Sequence, residues 1–347
     1  MPRGDDRRRR GVKSWCQRSN REYFRKIVYV LICSCPVKSV HFLPAAIYLF
    51  AVFNLTLLHA QDSIIGPDYK NAPEMHANPD VPKGTLFHFV MESVDSKYYP
   101  GLNGPYHRDV YVYVPKQYVS GTAAPLLVVQ DGKAYTNRLP VVLDNLIAGS
   151  QVPAMVAVMI QSGGGDGRGS ERGLEYDTIS GKYTEFVENE VLPQVERRCQ
   201  VKLTRDPNER AAMGRSSGAA CAFTMAWFHP DLYRRVLSYS GTFVNQQSPF
   251  NPASPDGAWE YHEHLIPQTD AKPLRVWLEV GEHDLGFDQD EASLHNWVMA
   301  NQRMAAVLKA KGYHYQFIFA KDSGHVDRRV VGETLAAALV WLWDDGR

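Results

Sequence analysis

The stretch Arg210-Ala-Ala-Met-Gly-Arg-Ser-Ser-Gly-Ala-Ala-Cys-Ala-Phe-Thr-Met-Ala-Trp-Phe228 decides the fold. Its beginning is typical of a short buried strand, and its apolar run from Ala219 is typical of a buried helix. Between them lies the pattern Gly-x-Ser-x-Gly, centred on Ser216. A serine here can cap the helix, but in a turn from strand to helix the same pattern exposes a nucleophilic hydroxyl, with glycines where side chains would clash. The position between strand and helix favours the nucleophile.

Strand and helix patterns alternate on both sides of this stretch. Alternating or continuous apolar runs predict strands at 85–91, 108–114, 125–130, 154–160, 234–239, 274–280 and 315–319. Helical spacing of apolar residues predicts helices at 183–198, 219–228, 290–311 and 328–343. This alternation predicts an α/β protein with a mostly parallel central sheet and helices on both faces, as in the α/β-hydrolase fold.

The N-terminal 83 residues differ in character from the rest. Arg7-Arg-Arg-Arg10 precedes an apolar run at 42–58, and together they predict a signal peptide over residues 1–60, cleaved after Ala60. We therefore expect a secreted or periplasmic protein, or a membrane-anchored one if the leader is not cleaved. Residues 61–83 are rich in Pro, Asn and Asp and predict an extended segment. The catalytic domain is expected over 84–347 as a single domain.

Composition limits the partners. The 38 basic residues balance the 38 acidic ones, so no net charge favours nucleic acid, and no stable membrane span is expected after cleavage. His262-Glu263-His264 lacks a third ligand at a known spacing, so no metal and no cofactor are predicted. The sequence does not indicate an oligomeric state.

A nucleophilic serine needs a base, and the base needs a carboxylate that orients it. In this fold the acid and then the histidine follow the serine in the chain. His325, in the loop Lys321-Asp-Ser-Gly-His325 between the last strand and the last helix, is the predicted base. The loop Val280-Gly-Glu-His-Asp-Leu-Gly286 supplies the predicted acid Asp284, with Glu282 as the alternative.

Ester cleavage also needs N–H donors for the oxyanion. In this fold one is the backbone N–H after the nucleophile, here that of Ser217, and the other comes from the loop after an earlier strand. The sequence Gln130-Asp-Gly-Lys133 offers the backbone N–H of Lys133. The same Asp-Gly pair can also form an ordinary turn.

With these residues assembled, the chain resembles the putative esterase family, which includes enterochelin esterases, formylglutathione hydrolase, feruloyl esterases and mycolyltransferases. The resemblance rests on motifs at 112–115, 128–132, 172–177, 186–193, 214–218 and 238–241. It implies the same oxyanion donors, Ser217 and Lys133. We expect Arg172 and Glu175 to form a structural pair under the site, with substrate binding as the alternative. The large N-terminal domain of enterochelin esterases is missing, which disfavours a siderophore substrate.

These features predict a secreted serine carboxylic-ester hydrolase that acts through an acyl-enzyme on a small or polysaccharide-linked ester, similar to enterochelin esterases or to feruloyl and acetyl carbohydrate esterases. Two alternatives stay open. An acyltransferase would use the same triad, because water and an alcohol compete for one intermediate. A non-catalytic binding protein of the same fold would lack turnover.

Overall fold

The computed structural model describes residues 60–344. The predicted signal peptide, apart from its last residue, lies outside the described residues, as do residues 345–347. The strands are β1 Ala60–Ile65, β2 Thr85–Glu92, β3 His107–Val114, β4 Ala123–Ala124, β5 Leu126–Gln130, β6 Val156–Ile160, β7 Lys202–Leu203, β8 Arg210–Arg215, β9 Arg235–Tyr239, β10 Arg275–Gly281 and β11 His314–Ala320. The α-helices are α1 Leu139–Ala148, α2 Glu171–Tyr176, α3 Lys182–Phe186, α4 Leu192–Cys199, α5 Ser217–Phe228, α6 Ile266–Gln268, α7 Trp297–Ala310 and α8 Arg328–Trp343.

Within the described residues, nine of these strands form one sheet in the order β1-β11-β10-β9-β8-β5-β6-β3-β2. The neighbours from β1 to β6 pair in parallel, while β3 pairs antiparallel with both β6 and β2. Ligand sites in such sheets lie outside the carboxyl ends of the parallel strands. The predicted α/β fold with a mostly parallel sheet is therefore confirmed.

Apolar side chains cover both faces of the sheet. On one face, α1 and α8 pack against residues such as Val129, Met213 and Trp277. On the other face, α3, α4, α5 and α7 pack against residues such as Val128 and Val236. The central strands β5, β6 and β9 are buried along their whole length. This explains why they occur as continuous apolar runs in the sequence.

The sheet begins earlier in the chain than the predicted boundary at residue 84. Strand β1 lies in the segment predicted to be merely extended, and it pairs along its whole length with β11. Its acidic side chain is anchored, since Asp62 accepts hydrogen bonds from the Tyr315 hydroxyl (2.7 Å) and Lys309 Nζ (3.0 Å). The sequence of β1 lacks the apolar pattern of a strand because this edge strand is held by polar contacts and backbone pairing. It does not depend on burying a row of apolar side chains.

Two helices also differ from the prediction. The helix expected from 290 begins at Trp297, because the Asn296 side chain caps it by accepting the Met299 N–H at 2.9 Å. The helix expected over 183–198 is interrupted by a π-helical turn, Val187–Val191, next to Pro193. Proline has no N–H to donate to the hydrogen bonds of a regular α-helix, and the π-helical turn accommodates this missing donor. None of the helices within 60–344 is both long enough and apolar enough to span a bilayer.

Candidate active site

The strand-to-helix turn at Ser216 carries the strain that the sequence pattern predicts. Ser216 has φ 54° and ψ −131°, a backbone conformation that L-residues rarely adopt. A Cβ on Gly214 would lie 2.3 Å from the backbone of Gly218, and a Cβ on Gly218 would lie 2.9 Å from the Gln130 side chain. Both positions therefore require glycine, because neighbouring atoms leave no room for a Cβ. The turn presents the Ser216 hydroxyl at the carboxyl end of β8.

His325 joins this hydroxyl to a buried carboxylate. Its Nε2 lies 2.9 Å from Ser216 Oγ, and its Nδ1 lies 2.6 Å from Asp284 Oδ1. Asp284 is fully buried and also accepts the Leu285 N–H at 2.7 Å. The structure thus brings together the three residues predicted from chain order, although they are separated by up to 109 positions.

The alternative acid, Glu282, is not part of this arrangement. Its carboxylate accepts hydrogen bonds from Lys321 Nζ (2.7 Å) and from the Asp322 N–H (3.0 Å). The hydrogen bond from Lys321 is the main cause of a lowered pKa for Glu282. Two acids in one loop therefore have different surroundings, and the buried one faces the imidazole.

The two predicted oxyanion donors are the backbone N–H groups of Ser217, which follows Ser216 in the chain, and of Lys133, which contacts the cleft residue Gln161. Ser217 is the first residue of α5, where backbone N–H groups have no partner inside the helix and the helix dipole favours negative charge. The Lys133 N–H donates to the Gln161 side chain at 3.3 Å. An oxyanion that binds Lys133 must therefore displace the Gln161 carboxamide.

Arg172 fixes the loop that carries Lys133. Its guanidinium makes two hydrogen bonds to Asp131, at 3.0 and 2.8 Å, and one to Asp166 at 2.7 Å. Glu175 pairs instead with the buried Arg108 at 2.6 Å. The expected pair between Arg172 and Glu175 is therefore wrong: Glu175 comes three residues after Arg172 on α2, and each side chain finds a partner elsewhere in the fold.

A cleft of about 540 Å³ opens over the candidate triad. Gln161, Gly165 and Asp166 line one side of it, and Ser216 with His325 line the other. Among the residues described, no group of three or more His, Cys, Asp or Glu side chains could hold a metal ion. His262 is buried, with its ring 3.1 Å from the Phe243 carbonyl oxygen, and burial lowers its pKa to about 3.

Several neighbours of the site were missed from sequence. Thr242 Oγ1 lies 3.4 Å from Ser216 Oγ and accepts a hydrogen bond from Trp297 Nε1 at 3.2 Å. The Trp297 ring also packs edge-on against His325. Thr242 follows the end of β9. Its position directly after the motif at 238–241 was the one feature of the sequence that could have indicated its place beside Ser216.

Asp177 is a buried acid that shares a hydrogen-bond donor with the Ser217 side chain. Gln246 Nε2 donates to both Asp177 Oδ2 (3.1 Å) and Ser217 Oγ (3.2 Å). Burial raises the pKa of Asp177 to about 6, although hydrogen bonds to Gln246 and Ser217 oppose this shift. A carboxyl group whose pKa is higher in the folded state stabilises the fold most when protonated. This contribution is fully present below the ordinary pKa of 3.8 and is lost as the pH rises through 6.

Asp177→Asn is expected to remove this pH dependence. Relative to the variant, the wild-type free energy of unfolding should fall by about 2.4 kcal/mol as the pH rises from 4 to 7, at about 1.4 kcal/mol per unit of pKa shift. Urea unfolding of both proteins at half-unit pH steps measures the difference. A difference that stays constant over this range would show that Asp177 ionises in the fold as readily as in the unfolded chain.

The parallel sheet, the strained serine turn and the acid and histidine at strand ends define the class of α/β hydrolases. The chain belongs to the family described as Putative esterase, which matches residues 105–342. The predicted resemblance to this family is therefore confirmed. No curated protein matches the sequence.

Solved esterase structures share the fold. An enterobactin esterase from Shigella flexneri is 20% identical with a TM-score of 0.54, and the match covers 76% of this chain and 62% of that one. A ferulic acid esterase from Anaeromyces mucronatus, solved in complex with ferulic acid, is 11% identical with a TM-score of 0.58, covering 80% and 98%. A further ferulic acid esterase is 17% identical with a TM-score of 0.56, covering 76% and 98%. The chain thus spans about three fifths of the enterobactin esterase but nearly all of the ferulic acid esterases.

Proposed function

We propose that the chain is a serine carboxylic-ester hydrolase that uses Ser216, His325 and Asp284 and forms an acyl-enzyme. The observation that carries this proposal is the continuous contact from Ser216 Oγ through the imidazole of His325 to the buried Asp284, at 2.9 and 2.6 Å. Such an arrangement activates a hydroxyl that is a weak nucleophile on its own.

In the first half-reaction, His325 Nε2 accepts the hydroxyl proton while Ser216 Oγ attacks the ester carbonyl. The negative charge that develops on the carbonyl oxygen is stabilised by the N–H groups of Ser217 and Lys133. The protonated His325 then gives its proton to the leaving alcohol, and the acyl group remains on Ser216. Asp284 holds the imidazole in the required tautomer and stabilises its charged form.

In the second half-reaction, His325 activates a water molecule that attacks the acyl-enzyme and releases the acid. The open cleft admits water to this site. An alcohol in place of water would give acyl transfer through the same intermediate.

For the substrate, we propose a carbohydrate-linked ester of an aromatic or acetic acid, with a siderophore ester as the alternative. The proposal draws on the similar solved structures, which include a ferulic acid esterase in complex with ferulic acid and an enterobactin esterase. A secreted or periplasmic location, proposed from the leader, would bring the enzyme to such polymers.

Turnover of p-nitrophenyl acetate, followed by a panel of methyl ferulate, acetylated xylan and a catecholate lactone, tests this function. We expect a rapid first release of p-nitrophenol followed by steady turnover, and preference for one of the first two panel members. Product analysis with added alcohol separates hydrolysis from acyl transfer. If the folded protein turned over no ester, only the hypothesis of a non-catalytic binding protein would remain.

A further inference from the structure

A second cavity, of about 290 Å³, adjoins the catalytic cleft. Two residues, Arg215 and Val326, line both spaces. They directly neighbour Ser216 and His325 in the chain. A substrate bound at Ser216 can therefore extend into this cavity without a large change of the fold.

The cavity is rich in unpaired positive charge. Arg138, Arg215 and Arg328 all line it. Within residues 60–344, none of these three side chains forms an ion pair or a side-chain hydrogen bond. Two nearby acids already have partners, since Asp131 binds Arg172 and Asp327 binds Arg329. Free guanidinium groups bind carboxylates and phosphates well, because their N–H donors match two oxygens at once.

A buried phenol points to the same kind of ligand. Tyr135 lines the cavity and is only 5% exposed, yet its hydroxyl has no hydrogen-bond partner within the described part of the chain. Buried hydroxyl groups nearly always have a partner. Burial raises the pKa of this phenol and the charge of Arg215 opposes the rise, so the hydroxyl stays a donor near a cation.

The wall formed by α8 is apolar beyond Arg328. Val331 and Leu335, on successive turns of α8, face the cavity. A ligand that fits this space therefore carries an anionic group on an apolar stem. A neutral sugar or a simple alkyl chain would form no ion pair with the three guanidinium groups.

We propose that this cavity binds an anionic group, a carboxylate or a phosphate, of the ester that is cleaved at Ser216. The inference rests on the proposed function and adds a charge requirement to its substrate. The anionic group can belong to the alcohol half or to the acyl half of the ester, and matched substrates separate the two.

Two pairs of aryl esters test the subsite. The pair 4-acetoxybenzoate and 4-acetoxybenzamide differs in charge on the alcohol half, and the phenyl half-ester of glutaric acid and phenyl butyrate differ on the acyl half. We expect the anionic member of one pair to have a kcat/KM at least about tenfold higher. Exposed charges are screened by salt, so this ratio should fall when the ionic strength is raised.

The double variant Arg138→Gln/Arg328→Gln should lower the charged-to-neutral ratio by about tenfold or more, the effect of losing a charge-assisted hydrogen bond. Arg197→Gln, a change of an exposed arginine on α4, is the matched control and should keep the wild-type ratio. Equal ratios in wild type and double variant, or an equal loss in the control, would overturn the subsite.

Calorimetric titration with inorganic phosphate separates this inference from the proposed function. Phosphate should bind the wild type and the Arg197→Gln control and bind the double variant more weakly. Absence of binding to the wild type, or the same affinity in all three proteins, would contradict the subsite. If neither neutral nor charged esters turn over but phosphate binds as expected, the catalytic proposal fails and the anion site stands.

Discussion

Replacing Ser216 by alanine is expected to lower kcat/KM for p-nitrophenyl acetate by about 10⁴- to 10⁶-fold while leaving the fold intact. The loss is this large because the acyl-enzyme can no longer form, and only the oxyanion donors and substrate binding remain. The variant removes one half-buried hydroxyl, and the hydrogen bond of His325 to Asp284 does not depend on it. Alanine also still fits between Gly214 and Gly218.

Ser120→Ala is the matched control for this variant. Ser120 is also a serine, but it is exposed in the loop between β3 and β4, and it does not line the cleft. Initial rates over a range of substrate concentrations, with circular dichroism to check folding, measure both variants. A folded Ser216→Ala protein that keeps more than a few per cent of wild-type activity would show that another residue carries the chemistry.

Asp284→Asn is expected to reduce kcat by about 10⁴-fold. An amide side chain can donate to His325 Nδ1, which favours the tautomer that cannot accept the proton of Ser216, and it cannot stabilise the imidazolium. Glu282→Gln should have a far smaller effect, because the Glu282 carboxylate binds Lys321 and the Asp322 N–H outside the triad.

The two variants are compared on the same ester at the same pH. They are matched in chemistry, since each replaces a carboxylate with the corresponding amide in one loop. A larger loss for Glu282→Gln would mean that the buried contact at 2.6 Å is not the one used in catalysis. Equal small losses would mean that His325 works without an oriented acid.

The central part of this site could be predicted from sequence because each piece has a local signature. A Cβ on either glycine beside Ser216 would lie less than 3 Å from another atom, and such constraints restrict residue type directly. Asp284 and His325 each follow a clearly apolar strand, and the order of elements in the fold assigns their roles. The strands themselves occur as continuous apolar runs because they are buried on both faces.

The surroundings could not be predicted because they depend on contacts between distant segments. The pairing of Arg172 with Asp131, 41 positions apart, follows from how α2 lies beside the loop after β5. Strand β1 has little apolar signal and is held by polar contacts with β11 and α7. The cavity beside Ser216 combines the segment that precedes α1, the serine turn, and α8 with the residue Val326 before it, and no sequence motif marks such a meeting of three segments.

The role of Ser216 as nucleophile is tested most directly by mass spectrometry of the protein after reaction with a fluorophosphonate, which modifies activated serines. We predict one adduct, located on the peptide that contains Ser216, in the wild type, and none in His325→Ala, which lacks the base. An unmodified wild-type protein, or an adduct on a different serine, would contradict the proposed mechanism.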